Sequence, residues 1–356
     1  MVDILSKLAV SATPLKRHAA NPILSADDVP YHATLVFNAG VAKYQGRYVM
    51  VFRNDYGRWG DTRFDGTNLG LAFSDDGVNW QVQPRPCITL EQARDLMRPL
   101  MPHRDTHEEI YRFYDPRLTV IDGRMHLCFA VDTAHGVCGG VAVTDDFDRF
   151  ELLSISSPDN RNLVLFPEKI DGHYVRLERP MPVYSRRGRD RFDIWLARSP
   201  DLRYWGGQRC VLGVEDLPHA NDKIGPGAPP IKTRLGWLTA IHTVNRDESR
   251  GKNGWEAKWT KRYDAGLALL DLEDPSRVVA VAPAPLLTPE ASYETGHNAT
   301  PDTDGFRNHV IFPGGMILED DGEVKIYYGA ADTVECLAKA HVDDLLAFCF
   351  GAALSD

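Results

Sequence analysis

The chain has 356 residues, a formal charge of −10 and 43% apolar residues. That apolar share supplies a packed core, and the negative balance excludes a general nucleic-acid binder and any broad attraction to anionic membranes. The six cysteines form no CxxC pair and sit largely in apolar runs, so they read as reduced core residues. With no signal-peptide core near the N-terminus, cytoplasm is the expected compartment.

Residues 1–30 read as a short helical arm with a Pro-containing lead-in, set to pack on the body or on a second copy. From there strand signals dominate, and one grammar recurs five times. A Gly turn opens a β-rich run, and a second β-rich run follows, closing on an acidic turn with an aromatic or apolar residue. The first unit is GRYVMVFRNDYG with LGLAFSDDGVNW, ending at Trp80. The second is GRMHLCFAVDTA with GGVAVTDDFDRF, and the third is GHYVRLERPMPVY with FDIWLARSPDLRYW. The fourth is GWLTAIHTVN with AGLALLDLEDPS, and the fifth is GEVKIYYGAADT with CLAKAHVDDLL. One such unit cannot bury both faces alone, so five predict a ring: an all-β, five-bladed β-propeller, one domain spanning residues 1–356, with a polar axial channel. Two segments break the rhythm. LEQARDLMRPL has helical spacing, and NRDESRGKNGWEAKW is a long basic loop that, with the arm, predicts a homo-oligomer.

Chemistry is expected where polar residues interrupt equivalent strands. Arg53, Asn54 and Asp55 end the first unit's leading run, Asp132 the second's and Asp332 the fifth's, and their convergence would form a polar pocket rimmed by Trp59, Tyr114, Tyr263 and Tyr327. Asp115 in YDPRL precedes a proline, which predicts an extended backbone and a fixed carboxylate direction. It is either a general acid or a turn residue. Arg161 and Asn162 lie in DNRN. Arg179 takes an apolar position in VRLERP, where its guanidinium needs an anion, either a neighbouring glutamate such as Glu178 or Glu168 or a ligand. Lys223 in NDKIGPG resembles a phosphate loop in composition only. His242, inside an apolar strand, reads first as a core histidine.

Taken together, FRNDYG, YDPRLT, DNRN, YVRLERP, NDKIGPGAPP, GFRNHVIFPGG and IYYGAADT resemble the mannoside phosphorylases of glycoside hydrolase family 130 over nearly the whole chain. The resemblance is strongest to the branch acting on 4-O-β-D-mannosyl-D-glucose. It implies a five-bladed propeller that cleaves β-mannosides with inorganic phosphate and inverts the anomeric centre to give α-mannose 1-phosphate. It further implies Asp115 as general acid, acting through the sugar's 3-hydroxyl. Arg161, Asn162, Arg179, Lys223 and His242 would hold phosphate, and Arg53, Asn54, Asp55, Tyr114 and Asp332 the sugar. No cofactor and no metal are expected; a disaccharide and phosphate are the small-molecule partners. The alternatives are a phosphorylase with a mannose or N-acetylglucosamine acceptor, a β-mannosidase on the same fold, and a sugar-binding propeller. An inverting hydrolase needs an acid and a base about 6.5–9.5 Å apart, whereas phosphate, already anionic, needs the acid and cations.

Overall fold

The computed structural model describes residues 13–57, 65–181, 192–249, 260–296 and 307–351. Strand β1 (Lys16–Arg17) precedes the first blade, which comprises β2 (Leu35–Tyr44), β3 (Arg47–Tyr56), β4 (Gly66–Ser74) and β5 (Gln81–Val82). The second comprises β6 (Ile110–Ile121), β7 (Arg124–Thr133), β8 (Gly136–Thr144) and β9 (Glu151–Ile155). The third comprises β10 (Asn160–Leu165), β11 (Tyr174–Pro180), β12 (Ile194–Ser199) and β13 (Gly206–Leu212). The fourth is built from β14 (Lys223–Pro226), β15 (Ile231–Lys232), β16 (Trp237–Arg246), β17 (Lys261–Leu270) and β18 (Val278–Val281). The fifth is built from β19 (Ile311–Leu318), β20 (Glu323–Ala330) and β21 (Val334–His341), with β1 added at its edge. Every ladder is antiparallel.

The five-bladed propeller expected from the repeats is present, with one correction to the reading of the repeat. The two runs recognised in each unit are the second and third strands of a blade. The strand nearest the axis precedes them: β19 lies against β2, β2 against β6, β6 against β10 and β10 against β14. Several of the Gly turns that open the units are two-residue hairpins. Asp122–Gly123 and Asp171–Gly172 both have positive φ, the geometry whose twist matches the flanking strands. The acidic turns also repeat. Asp76 accepts from the backbone N–H groups of Val78 and Asn79, Asp146 from Asp148 and Arg149, and Asp201 from Arg203 and Tyr204.

Because each sheet is sandwiched by neighbours, its central strands are buried on both faces, as in β3, where eight consecutive residues from Tyr48 to Asp55 are buried. The helical segment falls where the spacing put it, at Leu90–Met97, capped by Thr89. The arm is different from expectation. Residues 1–12 lie outside the described residues, and 13–30 contain no α-helix, only a single 3₁₀ turn at Ala26–Asp28. This stretch instead closes the ring. Lys16 and Arg17 pair with Lys339 and Ala338, and the Arg17 guanidinium donates to both oxygens of Glu294 at 2.8 Å. The basic loop expected at the interface falls largely, from residue 250 to 259, outside the described residues. Among the described residues, no helix is long and apolar enough to cross a membrane.

Candidate active site

The innermost strands share one irregularity that sets up the site. Pairing slips between Phe37 and Gly40 in β2, Tyr114 and Arg117 in β6, Arg161 and Val164 in β10, and Pro313 and Gly315 in β19. In the fourth blade the N–H groups of Gly227 and Ala228 both donate to Ala240 O. Each is a β-bulge, which bends a strand and redirects a side chain. Three bulges carry a left-handed residue with a short polar side chain: Asn38 at φ 52°, Asp115 at φ 52° and Asn162 at φ 57°. Asn and Asp tolerate that region best among residues with a Cβ. Asp115 is therefore not extended, as the following proline predicted. The bulge overrides the local preference, and its left-handed turn is what brings the carboxylate to the cavity.

The axial cavity, of about 450 Å³, is lined by Asn38, Arg53, Asp55, Tyr114, Asp115, Asp132, Arg161, Asn162, Arg179, Tyr263, Phe312 and Asp332, among others. On one side lies a carboxylate–guanidinium web. Arg53 donates to both oxygens of Asp55, at 2.9 and 2.6 Å, and to Asp115 at 3.2 Å; Arg112 reaches Asp55 at 3.0 Å. Asn38 donates to the same Asp115 oxygen at 3.0 Å. Burial pushes the Asp115 carboxyl up, but Arg53, Arg117 and Asn38 outweigh it and hold it below the usual carboxylate range. Asp332 is the reverse case. Burial, aided by Asp115 and Asp55, pushes it up to about 6 against the pull of Arg307 and Arg53.

The other side is basic. Arg161 donates to the Tyr114 hydroxyl at 3.1 Å, and that hydroxyl donates to Asp132 at 2.7 Å. Arg179, 2% exposed, donates to His242 Nε2 at 2.9 Å. The two glutamates that could have neutralised Arg179 are engaged elsewhere: Glu178 with Arg176 at 2.8 Å and Glu168 with Lys232 at 2.5 Å. Buried Nε atoms of Arg161 and Arg179, and the Asn162 carbonyl oxygen, have no hydrogen-bond partner among the described residues. Burial and the neighbouring Arg161 bring the Arg179 guanidinium down to about 9. Burial, with Arg179, Lys261 and Arg161, also drives the Lys223 ammonium well down.

Of the sequence-predicted residues, Asp115, Arg161, Asn162, Arg179, Arg53, Asp55, Tyr114 and Asp332 are brought together on the cavity wall. Lys223 and His242 stand behind it. Lys223 lies over the ring of Tyr263, 5.3 Å from its centroid, and His242 stacks on Phe312 at 4.6 Å. Burial and the surrounding cations keep the His242 imidazole neutral, so with Nε2 accepting from Arg179 its proton sits on Nδ1. Asn54 is a correction: it is fully buried and turned to the His32 carbonyl and to Asn68, away from the cavity. Tyr327 is another, because its hydroxyl donates to Gly77 O inside the packing between the fifth and first blades. Tyr263 is on the rim as expected, and Trp59 lies outside the described residues. Sequence reasoning misses Asn38, Arg112, Arg117 and Arg307. Aligning the inner strands Phe37–Asn38, Tyr114–Asp115 and Arg161–Asn162 exposes the first.

A family model described as beta-1,4-mannooligosaccharide phosphorylase, that of glycoside hydrolase family 130, matches residues 14–350. The chain belongs to this family. The beta-1,4-mannooligosaccharide phosphorylase of Ruminococcus albus is 33% identical over 339 residues, covering 93% of this chain and 89% of that protein. The 4-O-beta-D-mannosyl-D-glucose phosphorylase of Bacteroides fragilis is 26% identical over 345 residues, covering 92% and 78%. Among solved structures, the beta-1,2-mannobiose phosphorylase of Listeria innocua in complex with beta-1,2-mannobiose superposes with a TM-score of 0.74 at 26% identity, covering 94% of this chain and 99% of that one. This family 130 member thus shares its propeller and nearly its full length with mannoside phosphorylases.

Proposed function

We propose that the protein is an inverting β-mannoside phosphorylase that transfers a mannosyl group to inorganic phosphate, releasing α-mannose 1-phosphate and the acceptor sugar. The observation that carries this is the basic wall: Arg161 and Arg179, with Lys223 behind them, point to an anion and have no carboxylate in ion-pair contact among the described residues. A buried cation without a partner is strongly unfavourable, so an arrangement of several is best understood as a receptor for a polyanion. In this reading phosphate binds Arg161, Asn162 and Arg179, supported by Lys223 and His242, and attacks the anomeric carbon. The glycosidic bond breaks, and its oxygen leaves with a proton that originates from Asp115. Arg53, Asp55, Tyr114 and Asp332 hold the mannosyl ring.

Asp115 is ionised in the free protein, which suits the synthetic direction, where it accepts the acceptor hydroxyl's proton. For phosphorolysis it must be protonated, and a phosphate anion beside Arg161 offsets part of the positive field that keeps it ionised. For the acceptor, resemblance to the mannosylglucose branch supports glucose, while the 33% identity to the mannooligosaccharide enzyme, against 26%, favours a mannosyl acceptor. The test is cleavage of mannosyl-glucose, β-1,4-mannobiose and β-1,2-mannobiose with and without phosphate, with α-mannose 1-phosphate as the expected product when phosphate is present. Equal cleavage in both conditions would replace this reading with a hydrolase. Preference for mannobiose over mannosyl-glucose would remove glucose as the acceptor.

A further inference from the structure

Arg117 follows the Asp115–Pro116 bulge and is 2% exposed, with its side chain lying across the propeller axis. Its guanidinium donates to four carbonyls on four blades: Gly227 O at 2.5 Å, Pro116 O at 2.7 Å, Pro313 O at 3.2 Å and Asn38 O at 3.3 Å. All four carbonyls lie at the inner-strand bulges. Gly40, at the first bulge, permits the approach, since a Cβ there would sit 2.8 Å from the Arg117 Cα. Among the described residues no carboxylate makes an ion pair with Arg117. Its charge is answered by peptide dipoles, by the Phe312 ring at 5.4 Å and, through space, by Asp115 and Glu335.

We propose that Arg117 is a positioning residue for Asp115: it clamps the bulges of four blades around the axis, holds Asp115 in its left-handed conformation beside Asn38, and supplies a fixed positive charge beneath the carboxylate. A bulge opened at its backbone would let Asp115 relax toward the extended geometry preferred before proline, moving the carboxylate off Asn38 and Arg53. The charge acts separately from the clamp. Asp115 also faces Arg53, Arg161 and Arg179, with Asp55 and Asp332 opposing them, so Arg117 is one of several cations whose sum favours the ionised form.

The proposal rests on the phosphorylase reading, and the experiment separates the two. Wild type is first assayed for phosphate-dependent mannose 1-phosphate release; its absence sinks that reading alone, and the crystallographic arm below still decides this one. Arg117→Lys keeps the charge and loses most of the clamp, whereas Arg117→Met loses both. Both variants should lose kcat by about 100-fold, because a displacement of about 1 Å is enough for that, with KM for phosphate unchanged. The alkaline decline of phosphorolysis should move up in both variants, because Asp115 leaves Arg53 and Asn38, and should move further in Arg117→Met, where the cation is also removed. A crystal structure of Arg117→Lys should show Asp115 out of the left-handed region. A folded variant with a lowered Tm but wild-type kcat, an unmoved pH limb and an unmoved Asp115 would show Arg117 to be a plug of the fold and overturn the proposal. So would failure of both variants to fold.

Discussion

On the side of blades one and two, Arg53 faces Asp55 at 2.6 Å and Asp115 at 3.2 Å, with Arg112 and Asn38 completing the web. On the side of blades three and four, Arg161 and Arg179 meet Lys223 with no carboxylate in ion-pair contact among the described residues. Both walls are rich in charge, but only the first is neutralised by its own residues. A web that satisfies itself holds a shape for a neutral ligand such as a sugar ring. A cluster of like charges is stable only as part of a larger structure that tolerates it, and it is relieved when an anion arrives. In the proposed phosphorylase the first wall is thus complete in the free protein, and the second is completed by phosphate.

The most severe way to break the first wall is Asp115→Asn. Loss of a positioned general acid lowers kcat by about 10²- to 10⁴-fold, while circular dichroism and the melting curve stay close to wild type. Near-normal turnover in a folded variant would make Asp115 a bulge residue only.

The second wall is probed by Arg179→Ala and Lys223→Ala. Arg179→Ala removes a charge-assisted contact of about 1.5–3 kcal/mol, so KM for phosphate should rise about 10- to 100-fold while KM for the disaccharide changes little. Lys223→Ala, which removes a charge from behind the wall, should act in the same direction with a smaller rise. A parallel loss for both substrates would mean that these cations merely support the wall.

The same contrast predicts a difference in stability. Phosphate at 100 times its Kd should stabilise wild type by about 2.7 kcal/mol, read as a rise in Tm, and should do far less for Arg179→Ala. A disaccharide without phosphate should still raise the Tm of that variant. Equal phosphate protection of the two proteins would place the anion elsewhere.

Below the cavity, Glu335 offers a control outside both walls. Burial pushes its carboxyl up to about 8, although Ala39 N–H and Arg117 oppose this. A carboxyl whose folded pKa is raised contributes stability that is full below its unfolded value, near 4.5, and is lost as pH rises toward 8. Glu335→Gln should therefore melt higher than wild type at pH 8, with the gap closing as the pH approaches 4.5. A gap independent of pH would show that Glu335 is ionised throughout.

Much of this protein is legible in its sequence. The number of blades follows from a period of paired strands and acidic turns, which reports on local hydrogen bonding, as Asp76, Asp146 and Asp201 show. Eight of the candidate site residues reach the cavity because polar side chains in apolar strands are costly unless a site requires them. Asn54 and Tyr327 meet the same sequence criterion but donate to protein groups instead, to Asn68 and to Gly77 O. A polar residue in a strand announces a partner, but not whether the partner is protein or ligand.

The sequence by itself determined the strand content, the fivefold count and the residue types of an acid with a basic set, because alternation, turn chemistry and burial cost act over a few residues. Only the tertiary structure decided which strand lines the axis, that Asp115 turns left-handed against the preference of its proline, and that Arg117 joins four blades. Those outcomes depend on bulges packed against one another from blades more than a hundred residues apart in places, such as Arg117 and Gly227. Long-range packing of this kind overrides a local backbone preference that is worth only about 1–3 kcal/mol.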